Sequence, residues 1–385
     1  IILDIISSTI LILILFLIII GSLEIYFHRK ALENIPIRIH VNGTRGKSSV
    51  TRLIAAGLRE SGFNTYAKTT GTTPRIINNH GKDVEIHRLR SASIGEQIKL
   101  LRYFSKKSPD AVVMECMAVN PQYQWVSEHR IVRSTMSVMT NVRPDHLDEM
   151  GTTNEEIAYS LSNTIPYNSV CITSENETLE PLQKVANKRN SRLLQAEKNE
   201  ITMKYLNEFP FIEHPENLSL ALEVCKHLGA NKDDVLNGMK KTVPDPGALF
   251  IWNLRHNSNL CNFISGFAAN DPHSTKMVWN LVKNRFSGQS CIFLNTRDDR
   301  RYRTIQLIDL VLKDIKPDVL ILRADNVDNI LSKYNSNVKI VKFSMSDTPL
   351  TVVNKIIEMN KFFILGIGNI VGWGEEFIDK LKVYV

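Results

Sequence analysis

Cysteine is sparse in this chain and badly placed for pairing. The five, Cys116, Cys171, Cys225, Cys261 and Cys291, lie far apart and are odd in number. That excludes a disulfide framework and zinc-ligand spacing, and leaves reduced core residues of a cytosolic body. Low-complexity tracts and short-period repeats are missing too, so no linker-like polymer or solenoid is encoded. Aromatics interleaved with basic residues are also absent, which argues against a nucleic-acid partner. The net charge is nevertheless +7. A basic balance calls for an anionic partner, and nucleotide, anionic lipid and acidic polymer all qualify.

One long apolar run is present. Ile5–Ile20 is interrupted only by Ser7, Ser8 and Thr9, and a weaker apolar tail reaches Phe27. That length suits a bilayer crossing. His28, Arg29 and Lys30 follow at once while only Asp4 lies upstream, so the positive-inside rule puts the C-terminal body in the cytoplasm. A cleaved signal peptide calls for a basic start and a small-residue cleavage site, and neither is seen. A buried core helix calls for a polar face, which Ile10–Ile20 does not offer. The expectation is a single-pass membrane anchor over residues 1–30.

Beyond Ile35, short apolar runs alternate with helical patterns, as in an α/β fold built on parallel sheet. Expected strands are Ile37–Val41, Asn64–Ala67, Ala111–Met114, Thr135–Thr140 and Ser169–Ile172. Leu218–Leu228 reads as a helix closed by Gly229. Pro244-Asp245-Pro246-Gly247 reads as a linker, which divides the body into domains at 35–245 and 248–385. In the second, Rossmann-like part, strands are expected at Asn262–Phe267, Cys291–Leu294, Val319–Leu322, Val338–Phe343 and Phe362–Gly366. Helices are expected there at Thr275–Val282, Tyr302–Leu312 and Leu350–Met359.

The first strand runs into Asn42-Gly43-Thr44-Arg45-Gly46-Lys47-Ser48-Ser49 and then the helical pattern Val50–Leu58. Two glycines permit a tight turn with N–H groups pointing inward. Lys47 can then reach the outer phosphates of a nucleotide, and the Ser48 hydroxyl can hold Mg²⁺. The general phosphate loop needs a first glycine where this chain has Val41, so only the shorter Gly-Thr-x-Gly-Lys-Ser form fits. Glu115 ends the apolar strand Ala111–Met114, where a carboxylate is costly without a cation partner. Asp145 and His146 follow another strand and suit Mg²⁺, which keeps its waters and few protein groups. Ligands of open α/β sheets sit beyond the strands' carboxyl ends, so these groups are expected to converge.

Together these pieces resemble the Mur ligase superfamily, and most closely the membrane-anchored poly-γ-glutamate synthase ligase subunits of the CapB or PgsB type. Gly43–Ser48 resembles the family's ATP loop, and Val113-Met114-Glu115 its magnesium glutamate. Thr140-Asn141 through Asp145-His146-Leu147-Asp148 to Gly151 resembles the family's next motif, which makes His146 a second metal ligand. His214-Pro215-Glu216-Asn217 is similar to the adenine-side motif, with Asn217 in the base-contacting place. Ala269-Asn270-Asp271-Pro272 resembles Ala-His-Asn-Pro. Asn295-Thr296-Arg297-Asp298-Asp299-Arg300 resembles a stretch that closes over ribose and phosphates. Gly366-Ile367-Gly368-Asn369 and Gly372-Trp373-Gly374 are similar to the glycine-rich end of the poly-γ-glutamate branch, though plain turn chemistry explains them equally well.

The resemblance implies an ADP-forming amide ligase that uses ATP and Mg²⁺. It makes Lys47, Glu115, His146 and Arg297 catalytic, and Ser48, Glu115 and His146 the metal ligands. ATP would be bound by Asn42 to Ser49 and by Asn217, Asn270, Asp271, Asp299 and Arg300. It implies free glutamate and a growing poly-γ-glutamate chain as substrates, with integral-membrane subunits as partners, and leaves self-association into a homo-oligomer open. The chain departs from the pattern in three places. The anchor leads straight into the ATPase body with no UDP-binding domain between. Fourteen residues after His146 stands Ser160, where many Mur ligases carry a carbamoylated lysine, so a second magnesium must be held differently or be absent. Asn270 replaces a histidine. A ligase of the folylpolyglutamate synthase kind is the rival, on a loose similarity over Thr69–Pro74. A regulatory ATPase or kinase is the alternative outside the ligases.

Overall fold

The computed structural model describes residues 2–71, 74–88, 92–197, 201–202, 205–206, 208–209, 211–244, 249–267, 269, 271–297 and 301–385. The chain divides into two compact units, Ile1–Glu208 with Glu213–Asp245, and Phe209–Ile212 with Pro246–Val385. Of the Pro244–Gly247 linker, Asp245, Pro246 and Gly247 lie outside the described residues.

The first unit opens with helix α1 (Ile2–Glu33). It contains a candidate span, Thr9–Glu33, with a mean hydropathy of 2.8. Large apolar side chains stay exposed from Ile10 to Phe27. Toward the end of the helix the environment changes. Arg102 donates to the Glu24 carbonyl at 2.8 Å, His28 Nε2 meets the Ile131 carbonyl at 2.7 Å, and Ala31 and Leu32 are buried. The C-terminal end of the helix is therefore docked on the body. Its exposed basic residues are Arg29 and Lys30.

Eight strands follow: β1 (Ile37–Asn42), β2 (Thr65–Thr69), β3 (Arg75–Ile77), β4 (Asp83–Glu85), β5 (Ala111–Glu115), β6 (Met136–Met139), β7 (Val170–Thr173) and β8 (Arg192–Gln195). Their order in the sheet is β4-β3-β2-β5-β1-β6-β7-β8. Neighbours from β2 to β8 run parallel, and β2-β3-β4 is an antiparallel edge. The central strands are buried end to end, hence their continuous apolar runs. The strand order puts β5, β1 and β6 side by side, so Glu115, Asn42 and the segment after Met139 leave the same edge of the sheet. Helix α2 (Lys47–Glu60) covers the sheet with Val50, Leu53, Ile54, Ala55 and Leu58.

Under the sheet sits a buried ionic pair. His40 Nδ1 lies 2.8 Å from Glu128 Oε2, with both side chains out of solvent. Burial alone would push the imidazole down, but the Cys116 thiol and the Glu128 carboxylate beside it raise it to about 9. A folded pKa above the unfolded one near 6.5 stabilises the fold fully below that value. The contribution is lost as pH rises through about 9. Thermal midpoints measured from pH 6 upward should thus fall across this window, and His40→Gln should flatten the fall. An equal slope in the variant would remove His40 as its source.

The second unit holds β9 (Phe211–Ile212), β10 (Leu249–His256), β11 (Asn259–Ser265), β12 (Gln289–Asn295), β13 (Val319–Arg323), β14 (Lys339–Phe343) and β15 (Phe362–Gly368). The order is β14-β13-β12-β15-β11-β10-β9, parallel up to β11 and antiparallel beyond it. The hairpin β10–β11 turns on Asn257, which adopts φ 52°. Both sheets are therefore mixed, with antiparallel edges that the expected strand set did not include.

Candidate functional site

The loop Gly43–Gly46 joins β1 to α2, and its conformation demands its glycines. Gly43 has φ 130°, and a Cβ there would stand 2.0 Å from Thr140 Oγ1. Gly46 has φ 79°, and a Cβ there would meet Asn217 Oδ1 at 2.7 Å. No side chain caps the start of α2, so the first-turn amides are open to an anion.

The residues after β6 form a mould for this loop. Asn141 Oδ1 accepts from Thr44 Oγ1 at 2.7 Å and from the Arg45 amide at 3.1 Å. Asn141 Nδ2 donates to the Arg45 carbonyl at 3.1 Å, and Thr140 Oγ1 donates to the same oxygen at 2.7 Å. The Thr140-Asn141 pair was expected only as part of a motif. Its role is to fix the loop's backbone. Asn42 turns the other way. Its buried amide donates to Gln124 Oε1 at 2.8 Å and Thr164 Oγ1 at 3.1 Å, tying β1 to the layer beneath.

Lys47 curls over its own loop, with Nζ 2.6 Å from the Gly43 carbonyl and 3.1 Å from that of Thr44. Beside it, Glu115 is 2% exposed. Its Oε2 accepts from Ser48 Oγ at 2.8 Å and from the Thr70 amide at 2.6 Å. Three chain segments thus meet on one carboxylate oxygen. The cation that Glu115 needs in this interior is close by. Lys68 is 0% exposed, and its Nζ lies 3.5 Å from Glu96 Oε1. Burial pushes the Lys68 ammonium down, and the charges of Glu96 and Glu115 oppose this. Nothing in the local pattern of β2 marked Lys68, because the adjacency of β2 and β5 is a tertiary fact.

His146 has φ 44°, an uncommon conformation for a non-glycine residue, and its ring is 57% exposed. Its Nε2 lies 4.0 Å from Asp145 Oδ1, and Asp145 is 3.6 Å from Arg45. No hydrogen bond or ion pair joins His146 to Ser48 or Glu115. Among the described residues no group of three or more His, Cys, Asp and Glu is poised to hold a metal. The hydroxyl–carboxylate pair of Ser48 and Glu115 suits Mg²⁺, which takes few protein groups and fills its octahedron with water and phosphate oxygens.

On the far side of the loop, Asn217 Nδ2 donates to Glu213 Oε1 at 2.7 Å. Burial pushes the Glu213 carboxyl up, against bonds from Asn217 and the His214 amide. Glu213 went unnoticed in the sequence, because nothing local marks it as a partner for a residue behind the phosphate loop.

In the second unit, Asp271 Oδ1 caps the helix Pro272–Arg285 through the Ser274 amide at 2.9 Å. Asn295 donates to the Asn369 carbonyl at 2.7 Å and accepts from Arg323 at 3.1 Å, and half-buried Arg297 follows it. A Cβ on Gly368 would stand 2.2 Å from the Asn295 carbonyl, so this part of the glycine-rich end serves close backbone approach. Asn270, Asp298, Asp299 and Arg300 lie outside the described residues.

Residues 41–226 match the Mur ligase middle domain, and residues 251–383 match the poly-gamma-glutamate synthase CapB C-terminal domain. The chain is 37% identical to the PGA synthase CapB of Bacillus subtilis (strain 168), covering 96% of each chain. It is 34% identical to the capsule biosynthesis protein CapB of Bacillus anthracis, covering 95% of this chain and 81% of that one. Among solved structures it resembles E. coli FolC in complex with ADP. The TM-score is 0.70 at 15% identity, over 93% of each chain, which is a likeness of fold.

Proposed function

Because the chain belongs to the CapB family of poly-γ-glutamate synthases, we propose that it activates a γ-carboxylate with ATP and joins it to the amine of glutamate. The enzyme is an ATP-dependent amide ligase of poly-γ-glutamate synthesis. In the first step a carboxylate oxygen attacks the γ-phosphorus, ADP leaves, and an acyl phosphate forms. In the second the amine attacks the acyl carbon, phosphate leaves, and the amine gives up a proton.

The observation that carries this reading is the carboxylate of Glu115 bonded to Ser48 Oγ and the Thr70 amide at an uncapped helix start. In the proposal, the first-turn amides of α2 hold the phosphates, and Thr140 and Asn141 keep them aimed. Lys47 leaves the Gly43 and Thr44 carbonyls to meet the outer phosphate. Asn217, packed against Gly46, would help to place the nucleotide from behind the loop. Ser48 and Glu115 would hold Mg²⁺, with His146 as the further ligand. When bound, the ion neutralises phosphate charge and polarises the transferring phosphoryl. Helix α1 anchors the enzyme in the membrane with its body on the cytoplasmic side, where integral-membrane subunits receive the polymer.

Membranes carrying the enzyme, given ATP, Mg²⁺ and labelled glutamate, should release ADP and build a γ-amide polymer. ADP without a γ-amide would instead mark a kinase or regulatory ATPase. The metal assignment has its own readout. Glu115→Gln and His146→Ala should each raise the Mg²⁺ needed for half-maximal rate, on the order of 10- to 100-fold. Superimposable Mg²⁺ titrations for both variants and the wild type would leave these residues a structural role only.

A further inference from the structure

Beside the C-terminal end of α1 the first unit contains a cavity of about 730 Å³ that the ligase chemistry does not use. Arg29, Arg38, Arg130 and Arg133 line it. Among the described residues Arg29, Arg130 and Arg133 have no carboxylate partner, and all three are exposed. Arg38 spends its guanidinium on main-chain oxygens, with Nε 3.0 Å from the Arg133 carbonyl and Nη1 3.1 Å from that of Leu32.

The negative groups nearby do not cancel this charge. Glu128 also lines the cavity, but it is matched by His40 at 2.8 Å and bonded by the Ser134 amide and hydroxyl at 2.8 and 2.9 Å. His40 is held protonated at neutral pH, its imidazole raised to about 9. His129 adds no charge, because burial pushes its imidazole down. That leaves the exposed Glu33 as the one free carboxylate on the wall among the described residues.

Ser127–Val132 is a π-helix, and Arg133 follows it with φ 47° and its amide on the Glu128 carbonyl at 2.7 Å. Single-turn π segments and left-handed non-glycine residues concentrate at functional sites, where surrounding structure holds an unfavourable conformation. Here they turn Arg130 and Arg133 toward one cavity.

Its position along α1 selects the ligand. The exposed apolar run ends at Phe27, and Arg29 follows about 3 Å further along the helix axis. Trp125 and Tyr167 stand on the same wall, in the residue types that favour the membrane–water boundary. Arginine's planar fork matches phosphate oxygens in pairs.

We propose that this cavity receives the phosphate head group of an anionic phospholipid from the leaflet that α1 enters. The inference rests on α1 crossing the bilayer, and the test separates the two. Full-length protein is reconstituted in vesicles of phosphatidylcholine alone or mixed with phosphatidylglycerol, re-extracted, and its retained lipid counted by mass spectrometry. The wild type should retain phosphatidylglycerol on the order of tenfold above its share of the vesicle. Arg130→Glu with Arg133→Glu should retain both lipids in vesicle proportion, while still binding nucleotide. If reversed charge prevents folding, Arg130→Gln with Arg133→Gln should show the same loss.

Equal enrichment in wild type and folded variant overturns the proposal. So does detergent-solubilised protein that binds inorganic phosphate or soluble poly-γ-glutamate in this cavity and shows no preference for phosphatidylglycerol. Failure to float with phosphatidylcholine vesicles sinks the anchor itself. An anchored protein without lipid preference sinks the cavity's role alone.

Discussion

Lys47→Ala is expected to abolish polymer synthesis and ATP turnover while the fold survives. The lysine has no core duty: it is half-buried, and among the described residues its ammonium bonds to the Gly43 and Thr44 carbonyls of its own loop. The interaction is confined to one turn of chain, so the stability cost of alanine should be small. The chemistry is another matter. A cation placed where charge develops on a transferring phosphoryl acts in the transition state, and losing one such donor costs on the order of 10²–10³ in rate. Raising Mg²⁺ should not restore it, because in the proposed site Ser48 and Glu115, not Lys47, would hold the metal. Near-normal ATP turnover in the purified variant, with an unchanged melting curve, would remove this loop from the active site.

The glycine turn of the loop and the meeting of Ser48 with Glu115 were legible because their chemistry is local. Gly43, Gly46, Lys47 and Ser48 follow an apolar strand at fixed spacing, and each residue type has one job beside a phosphate. The expectation that the loop after β1, Glu115 and the segment after β6 leave one edge of the sheet also needed only the rule that open α/β sheets bind at strand carboxyl ends. The strand order β5-β1-β6 satisfies it. What stayed hidden depends on neighbours distant in sequence. Lys68 reads as one residue of a short strand, and only the pairing of β2 with β5 brings it to Glu115. Asn42 reads as a loop residue, yet its amide is taken by Gln124 and Thr164. The antiparallel edges escaped for another reason. Phe250, Ile251 and Trp252 on β10 are all half-buried, so no clean alternation marks a one-faced strand.

Helix α1, the proposed anchor, shows the same division, and its removal is the second large effect. Deleting residues 1–27 should leave a folded body that binds ATP with unchanged affinity, since the nucleotide loop begins at Asn42. The cut must fall there and no later. His28 meets the Ile131 carbonyl at 2.7 Å, and Leu32 and Ile35 are packed with Leu101 and Phe104 in the first unit's core. A deletion through Leu32 would empty that site and cost about 2–5 kcal/mol, as loss of a buried leucine does. The two truncations should therefore differ by several degrees in melting temperature. Polymer formation should fall steeply in the shorter deletion even though the body is intact. Tethering raises the effective concentration of membrane partners at the active site with no new contact, a gain of 10²–10⁴ in linked systems. The loss should be recovered when an unrelated single-pass helix of the same orientation replaces residues 1–27. Head-group selectivity should return with it, because the arginine cavity lies wholly in the retained chain. If the soluble body made full-length polymer at the wild-type rate without membranes, α1 would serve location alone.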